Sequence, residues 1–510
     1  QCKTANMNGT CATSNPTVAN AFRIGEDGNT APLAPATPTL PQPVYPGHNA
    51  ATGSAQEAMD PHFRPNSVDS FDLTIQRQIG QKMLAEVGYI GRIIHHEYQP
   101  VMLNMVPYMT SVGGQQFQSA YLALEKYLGC TTSTLACGAN VPASGTAAYT
   151  SFISSVATQG FLETALAGTG YCSGYANCTA AVLDKELGNL ENQAVWNMWS
   201  DMDNGGFAST VIPRSMQNTP VPGSTFGAEY SSGVSDNASI GWGNYNAAFV
   251  SFSTRNWHGL TMQHNFTWSK ALGTGADVQA TSEYTVNDPF DLHKNYGVQD
   301  FDRRIVYNMY FVADDPWFKG QKGLLGRVAG GWTFAPILTA GTGGPINCVT
   351  QTGGIYADAQ SFGAADGVSY GNNGNCVFTT PYTAGHSAHF GVAGSNGIGT
   401  ETSTTPVNMF KNPAAVFAQV RAPMLGMDTR NSGDGPIFGQ GYWNVDGQIK
   451  KDVRIAETAT FEFSFIATNM FNHQIFYDPG LALSSPGTWG VLNAQGNSPR
   501  KMEFGARIDF

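Results

Sequence analysis

Over the last ten residues, apolar and polar side chains alternate without a break. Met502, Phe504, Ala506, Ile508 and Phe510 fall on one face of an extended chain; Lys501, Glu503, Gly505, Arg507 and Asp509 fall on the other. A period of two predicts a strand with one apolar and one wet face. Two environments produce it: the wall of a transmembrane β-barrel, with hydrocarbon outside and a wet lumen, and a half-buried strand of a soluble sandwich.

The same period recurs in pairs. Thr458 to Phe471 sets Phe461, Phe463, Phe465 and Ala467 against Glu462, Ser464 and Thr468, and Tyr442 to Val453 sets Trp443, Val445, Gly447 and Ile449 against Asn444, Asp446, Gln448 and Lys450. Only the residues around Arg454 separate the two, a hairpin length. Gly259 to Leu272 follows Asn244 to Thr254 across a turn near Asn256. Phe301 to Val312 and Val328 to Ala340 flank a medium connector, and Val68 to Ile79 and Met83 to Ile94 flank a turn at Gly80. About nine strands are predicted, with weaker alternation at His264 and through Asn244 to Phe252.

Connection lengths alternate too. Short turns at Gly80, Asn256 and Arg454 contrast with long connections over roughly 95–243, 273–300, 341–440 and 472–500. Outer-membrane barrels have short periplasmic turns and long extracellular loops. If the last strand ends at the periplasm, every long connection lies outside the cell. Residues 1–67, Pro-dense between Pro32 and Pro46, then form the tail of an extracellular loop, and residues 68–510 form the C-terminal part of a barrel. An odd strand count and a start outside the cell lead to the expectation of further strands upstream of Gln1. Within the longest loop, about 99–240, Gln115 to Leu128, Tyr149 to Leu166 and Ala180 to Met198 carry helical periodicity.

Composition narrows the choice. Only 12% of the 510 residues are charged, against ~25% in soluble domains, yet no run approaches the ~18 apolar residues of a membrane helix. Strands are therefore the expected membrane element, and the fold class is all-β, a transmembrane antiparallel barrel with long, partly helical extracellular loops. A net charge of −11 argues against nucleic acid as a partner. The first thirty residues lack a basic start followed by an apolar core, so no leader is visible.

Eight cysteines sit at Cys2, Cys11, Cys130, Cys137, Cys172, Cys178, Cys348 and Cys376. All fall in the connections assigned to the cell exterior, an oxidising place in which disulfides persist. Bridges between sequence neighbours are expected, with cross-pairing among Cys130, Cys137, Cys172 and Cys178 and free thiols as the alternatives. The C-x2-C spacing of zinc sites is absent. His95-His96-Glu97 offers metal-ligand chemistry or a solvated rim. Asp300-Phe301-Asp302-Arg303-Arg304 offers a structural charge network at a strand start or, less simply, catalysis. No nucleophile elbow, zinc-protease pair, phosphate loop or dinucleotide fingerprint occurs. The expectation is a protein that is not an enzyme, with no cofactor and no metal.

Several segments, taken in order, resemble the C-terminal barrel of Oar-like TonB-dependent outer-membrane receptors. They are Ser67 to Gln78 with Ala85 to Gly91, Asn244 to Ala248 with Phe266 to Leu272, Asp300 to Arg304, Gly330-Gly331-Trp332, and Glu462 to His473 leading into the terminal strand. The resemblance spans roughly residues 60–510. It implies a barrel of about 22 strands, a plug domain in the lumen, and energy from an inner-membrane complex that contacts a short N-terminal box. Neither plug nor box is visible in the sequence. Uptake of a substrate across the outer membrane, with membrane lipid and the energy-coupling complex as partners, is what the resemblance implies; the substrate is not named by these residues. Two other functions stay open: a surface structural or adhesion protein displaying disulfide-bonded loops, and a soluble secreted β-protein.

Overall fold

The computed structural model describes residues 56–102, 106–207, 234–274, 288, 290–299, 301–346, 348–349, 376–379, 391–392, 407–410, 412–428, 437–456, 458–483 and 485–510. All belong to one compact unit, Ala50–Phe510. Cys2, Cys11, Asp300 and the Pro-dense segment lie outside the described residues. No described helix is long and apolar enough to cross a membrane.

Nine long strands share one sheet: β1 Ser67–Ile79, β2 Met83–Met102, β3 Val234–Trp257, β4 Leu260–Gly273, β5 Ile305–Asp314, β6 Trp332–Gly341, β7 Tyr442–Arg454, β8 Thr460–Thr468 and β9 Lys501–Asp509. Their order in the sheet is their order in the chain, and every neighbouring pair is antiparallel. This meander puts alternate connections at opposite ends. Residues 80–82, 258–259, 315–331 and 455–459 bridge strands at one end; 103–233, 274–304, 342–441 and 469–500 do so at the other. Among the described residues, β1 and β9 are not paired with each other.

Register carries the period of two across the sheet. Phe461, Phe463, Phe465 and Ala467 of β8 stand opposite Val453, Lys451, Ile449 and Gly447 of β7, and opposite Ile508, Ala506, Phe504 and Met502 of β9. Apart from Lys451, whose ammonium turns to Gly330 O, the apolar rows of adjacent strands merge into one face. Leu260, Met262 and Phe266 of β4 likewise meet Ala313, Phe311 and Tyr307 of β5. The imperfect positions satisfy one another: His264 Nδ1 lies 2.7 Å from the Tyr307 hydroxyl, and Tyr89 donates to Asn246 Oδ1 at 2.5 Å. A side chain at Gly88 would meet the Phe249 ring at 2.4 Å, so glycine is needed where that ring crosses β2.

Several boundaries differ from those expected. β2 and β3 pair well beyond Ile94 and Asn244, reaching Met102 and Ser235 through irregularities at His95/Glu97 and Glu97/Gln99. The helical insertion is correspondingly shorter than 99–240. Val328 lies within helix α7, Gly323–Ala329, rather than starting a strand, because Gly-Leu-Leu-Gly-Arg-Val-Ala carries no alternation. β8 stops at Thr468 because Asn469 takes φ +47°, with its amide reaching His473 O at 2.9 Å and Ser498 O at 3.1 Å.

The insertion holds helices α1 Phe117–Tyr127, α2 Ala147–Ser154, α3 Gly160–Ala165, α4 Cys178–Lys185, α5 Leu187–Glu191 and α6 Val195–Gly206. In α1 the buried Phe117, Ala120, Tyr121 and Leu124 follow helical spacing. Thr146 and Asn177 cap α2 and α4 by accepting from the backbone N–H of Tyr149 and Ala180 at 3.1 and 2.7 Å. The single helices expected over 149–166 and 180–198 are broken. Ser154 and Ser155 bond back to the carbonyls of Ser151 and Phe152, and Gln193 takes φ +50°. Phe117, Phe161 and Trp199 pack at the centre of this unit, with Met424 and Leu425 arriving from the 342–441 connection. A second core gathers Phe410, Phe417 and Trp489; helix α8, Pro413–Phe417, supplies one wall.

Candidate functional site

The polar face of the sheet is organised in two parts. On β3 to β5, uncharged groups form a chain: Ser251 donates to Asn265 Oδ1 at 3.0 Å, Gln263 Nε2 to the same oxygen at 3.2 Å, and Tyr310 to Gln263 Oε1 at 2.9 Å. On β7 to β9, charges take over. Lys450 Nζ lies 2.7 Å from Glu462 and 3.3 Å from Asp452, and Arg507 lies 2.6 Å from Asp509. Ile337 and Ile466 interrupt the polar face. Such a wall offers hydrogen bonds and fixed charges of both signs to a polar solute.

Near the long-connection end of β2 to β4, this face hollows into a cavity of about 420 Å3. Ile90, Arg92, Ile94 and Tyr245 line it, with Gln299 and Phe301 above. The described part of the Asp300–Arg304 run lies beside it as a structural tie. Buried Asp302 accepts from Ala271 N at 2.7 Å, Arg303 Nη1 donates to Asp302 O at 2.9 Å, and Ser269 donates to Arg303 O at 2.8 Å. These bonds fasten the end of β4 to the start of β5. Burial pushes the nearby Asp478 carboxyl up from its ordinary range, and Arg303 opposes that shift.

His95-His96-Glu97 does not converge on a point. His95 pairs with Asp69 at 3.3 Å, while His96 occupies the irregularity with φ +57°. Among the described residues the candidate metal grouping is Glu125, Cys130 and Cys137, and its two sulfurs are joined to each other. Disulfides also link Cys172 to Cys178 and Cys348 to Cys376. They brace the two compact clusters at the long-connection end, not the sheet.

Two features of that end were not signalled by periodicity. Arg421, buried, holds Asp428 through two bonds of 2.7 and 3.0 Å and donates from Nε to Thr131 O at 3.1 Å. It ties the 342–441 connection to the helical unit. Glu125 lies fully buried, and neither carboxylate oxygen makes a hydrogen bond of ordinary geometry. Desolvation pushes its pKa up to about 8; the Tyr121 hydroxyl and Gln193 amide beside it offset the effect only in part. An i, i+4 Tyr–Glu pair on an amphipathic helix is an ordinary solvated motif, so its burial depends on neighbours far along the chain.

Comparison with known proteins gives the following. A family described as an outer membrane beta barrel domain matches residues 3–503. No curated protein matches the chain. Among solved structures, the outer membrane transporter YddB from Escherichia coli is similar at 7% identity with a TM-score of 0.31, over 89% of this chain and 34% of that one. The ferric-catecholate import receptor Fiu from K12 E. coli is similar at 7% identity and a TM-score of 0.30, over 88% of this chain and 28% of that one. The FrpB iron transporter from Neisseria meningitidis is similar at 8% identity and a TM-score of 0.28, over 89% and 33%. The chain spans about a third or less of each of these structures.

Proposed function

The chain belongs to the outer membrane beta barrel domain family and resides in the bacterial outer membrane, and from that premise we propose that it is the C-terminal barrel portion of an Oar-like TonB-dependent receptor that takes up a substrate across that membrane. The observation that carries this proposal is the division of the sheet. One face is mostly apolar and suited to hydrocarbon, its few polar side chains, such as His264, Asn246 and Lys451, bonded to neighbouring groups; the other is a hydrogen-bonding and charged wall suited to a wet lumen. On this proposal the short connections face the periplasm and the long ones the outside, where the helical unit and the second core stand over the mouth. The edges of β1 and β9 pair with further strands that complete a barrel of about 22 strands.

A substrate arriving from outside meets the braced loops first, then the cavity beside Arg92 and Tyr245. The polar wall then supplies exchangeable hydrogen bonds along the path, while the sheet acts as a rigid support. Movement of a plug, driven through contact with an inner-membrane energy-coupling complex, opens the path. The gene upstream of Gln1 tests this directly. A plug domain preceded by an energy-coupling box is expected; a barrel gene without either contradicts energised uptake.

One observation favours a second function, display for surface attachment. The helical unit carries its own core and two disulfides, more structure than a pore mouth requires. Deleting 106–207 would then abolish attachment and leave uptake unchanged.

A further inference from the structure

The connector 315–331, at the short-connection end, is built unlike the other short turns. It is pinned to β7 by its polar groups: Gln321 Nε2 donates to Asp452 O at 2.8 Å, Arg454 N donates to Gln321 Oε1 at 2.8 Å, and the Lys451 ammonium donates to Gly330 O. Trp332 Nε1 closes the platform by donating to Val328 O at 3.0 Å. With Gln321 and the carbonyls of Val328 and Gly330 turned inward, several apolar side chains are left facing out. Leu324, Leu325 and Val328 of α7 are 82, 70 and 61% exposed, and Trp317 is 71% exposed. A water-facing turn has no reason to present such a cluster.

Beside it runs an apolar groove of about 550 Å3. One wall is Leu260, Ala313, Trp332 and Phe334, all on the apolar face of the sheet by register; the other is Pro316 and Trp317 of the connector. The groove is thus continuous with the surface assigned to lipid and lies at its periplasmic edge. Lys319, Lys322 and Arg327 are exposed along the same connector, and none forms a salt bridge among the described residues. Two acids also line the groove: Asp315 accepts from Trp317 N through Oδ1 at 2.8 Å while its Oδ2 is buried without a hydrogen bond, and Asp314 accepts from the Thr333 hydroxyl at 2.8 Å.

We infer that this groove and connector form a binding site for an anionic glycerophospholipid of the periplasmic leaflet, its acyl chain lying against Trp317 and Phe334 and its phosphate meeting Lys319, Lys322 and Arg327. The apolar groove suits a chain, and the row of unpaired cations suits a phosphate at the depth where the chain ends. The site rests on the orientation given under the proposed function.

The test uses the full-length protein in vesicles containing phosphatidylglycerol or phosphatidylcholine with brominated acyl chains, reading tryptophan quenching. Trp317→Phe is expected to remove a quenched component, and Lys319→Gln to lower the preference for phosphatidylglycerol about fivefold. Quenching unchanged in Trp317→Phe, or a preference unchanged in Lys319→Gln, overturns the site. A Lys319→Cys variant separates the site from the orientation. Labelling by an impermeant maleimide in intact cells overturns both, whereas protection in intact cells together with unchanged quenching overturns the site alone.

Discussion

The sheet and the helical unit bury their apolar residues in opposite senses. In the helical unit Phe117 and Trp199 are fully buried, whereas on the sheet Leu73 and Phe504 are 64 and 67% exposed. Both regions obey the same transfer physics with different solvents. The helical unit faces water and must make its own hydrocarbon interior; the sheet has hydrocarbon supplied from outside and needs only to close its backbone bonds and keep its polar side inward. The cysteines follow the same division, since every described disulfide braces the water-facing clusters.

This contrast is broken most easily at the centre of the helical unit. Trp199→Ala is expected to cost about 3–5 kcal/mol, seen as lost hydrogen-exchange protection in α1 and α6 with no change in β7 to β9. Equal loss in the strands would show that the regions are not separate cooperative units. On the sheet, Phe463→Arg on the apolar face is expected to cost about 2–4 kcal/mol, and Ser464→Arg next to it about 0–1 kcal/mol. Refolding equilibria in vesicles measure both, and equal costs would undo the face assignment.

Smaller effects sharpen the comparison. Reducing Cys130–Cys137 opens a short loop and is expected to weaken the helical unit by about 2–3 kcal/mol, while the heat-modifiable mobility of the barrel on gels stays the same. Glu125 then sets a pH dependence. Its folded pKa of about 8 lies above the ordinary carboxylate value, so the folded unit keeps a proton that the unfolded chain releases. Its contribution is complete below about pH 4.5, falls as pH rises toward 8, and levels off above. Between pH 6 and pH 8 the helical unit is expected to lose on the order of 2 kcal/mol, and Glu125→Gln is expected to remove that slope in thermal melts.

Legibility in the sequence followed the same boundary. All nine long strands of the sheet were predicted, because a period of two must be written into residues that face two solvents; the short strands Gln56–Met59 and Gly297–Val298, which also join the sheet, were not. Their ends were less visible: β2 and β3 run on past His95 and Gly241, where neither face needs to match hydrocarbon and alternation is no longer enforced. The helices were placed, but their breaks at Ser155 and Gln193 depend on local side-chain bonds and a single positive φ. Arg421 reaching Thr131, and the burial of Glu125, join residues from separate connections, and no local pattern encodes such contacts. The connector between β5 and β6 was predicted, but helix α7 within it was missed because seven residues are too short for periodicity to register.

The central claim, that the two faces of the sheet meet different solvents, is tested most directly by spin labels placed one at a time at residues 461–466 of the full-length protein in lipid vesicles. Collision with oxygen is expected to peak at 461, 463 and 465, and collision with a water-soluble nickel chelate at 462, 464 and 466. Equal accessibility at all six positions, or the inverse pattern, would contradict it.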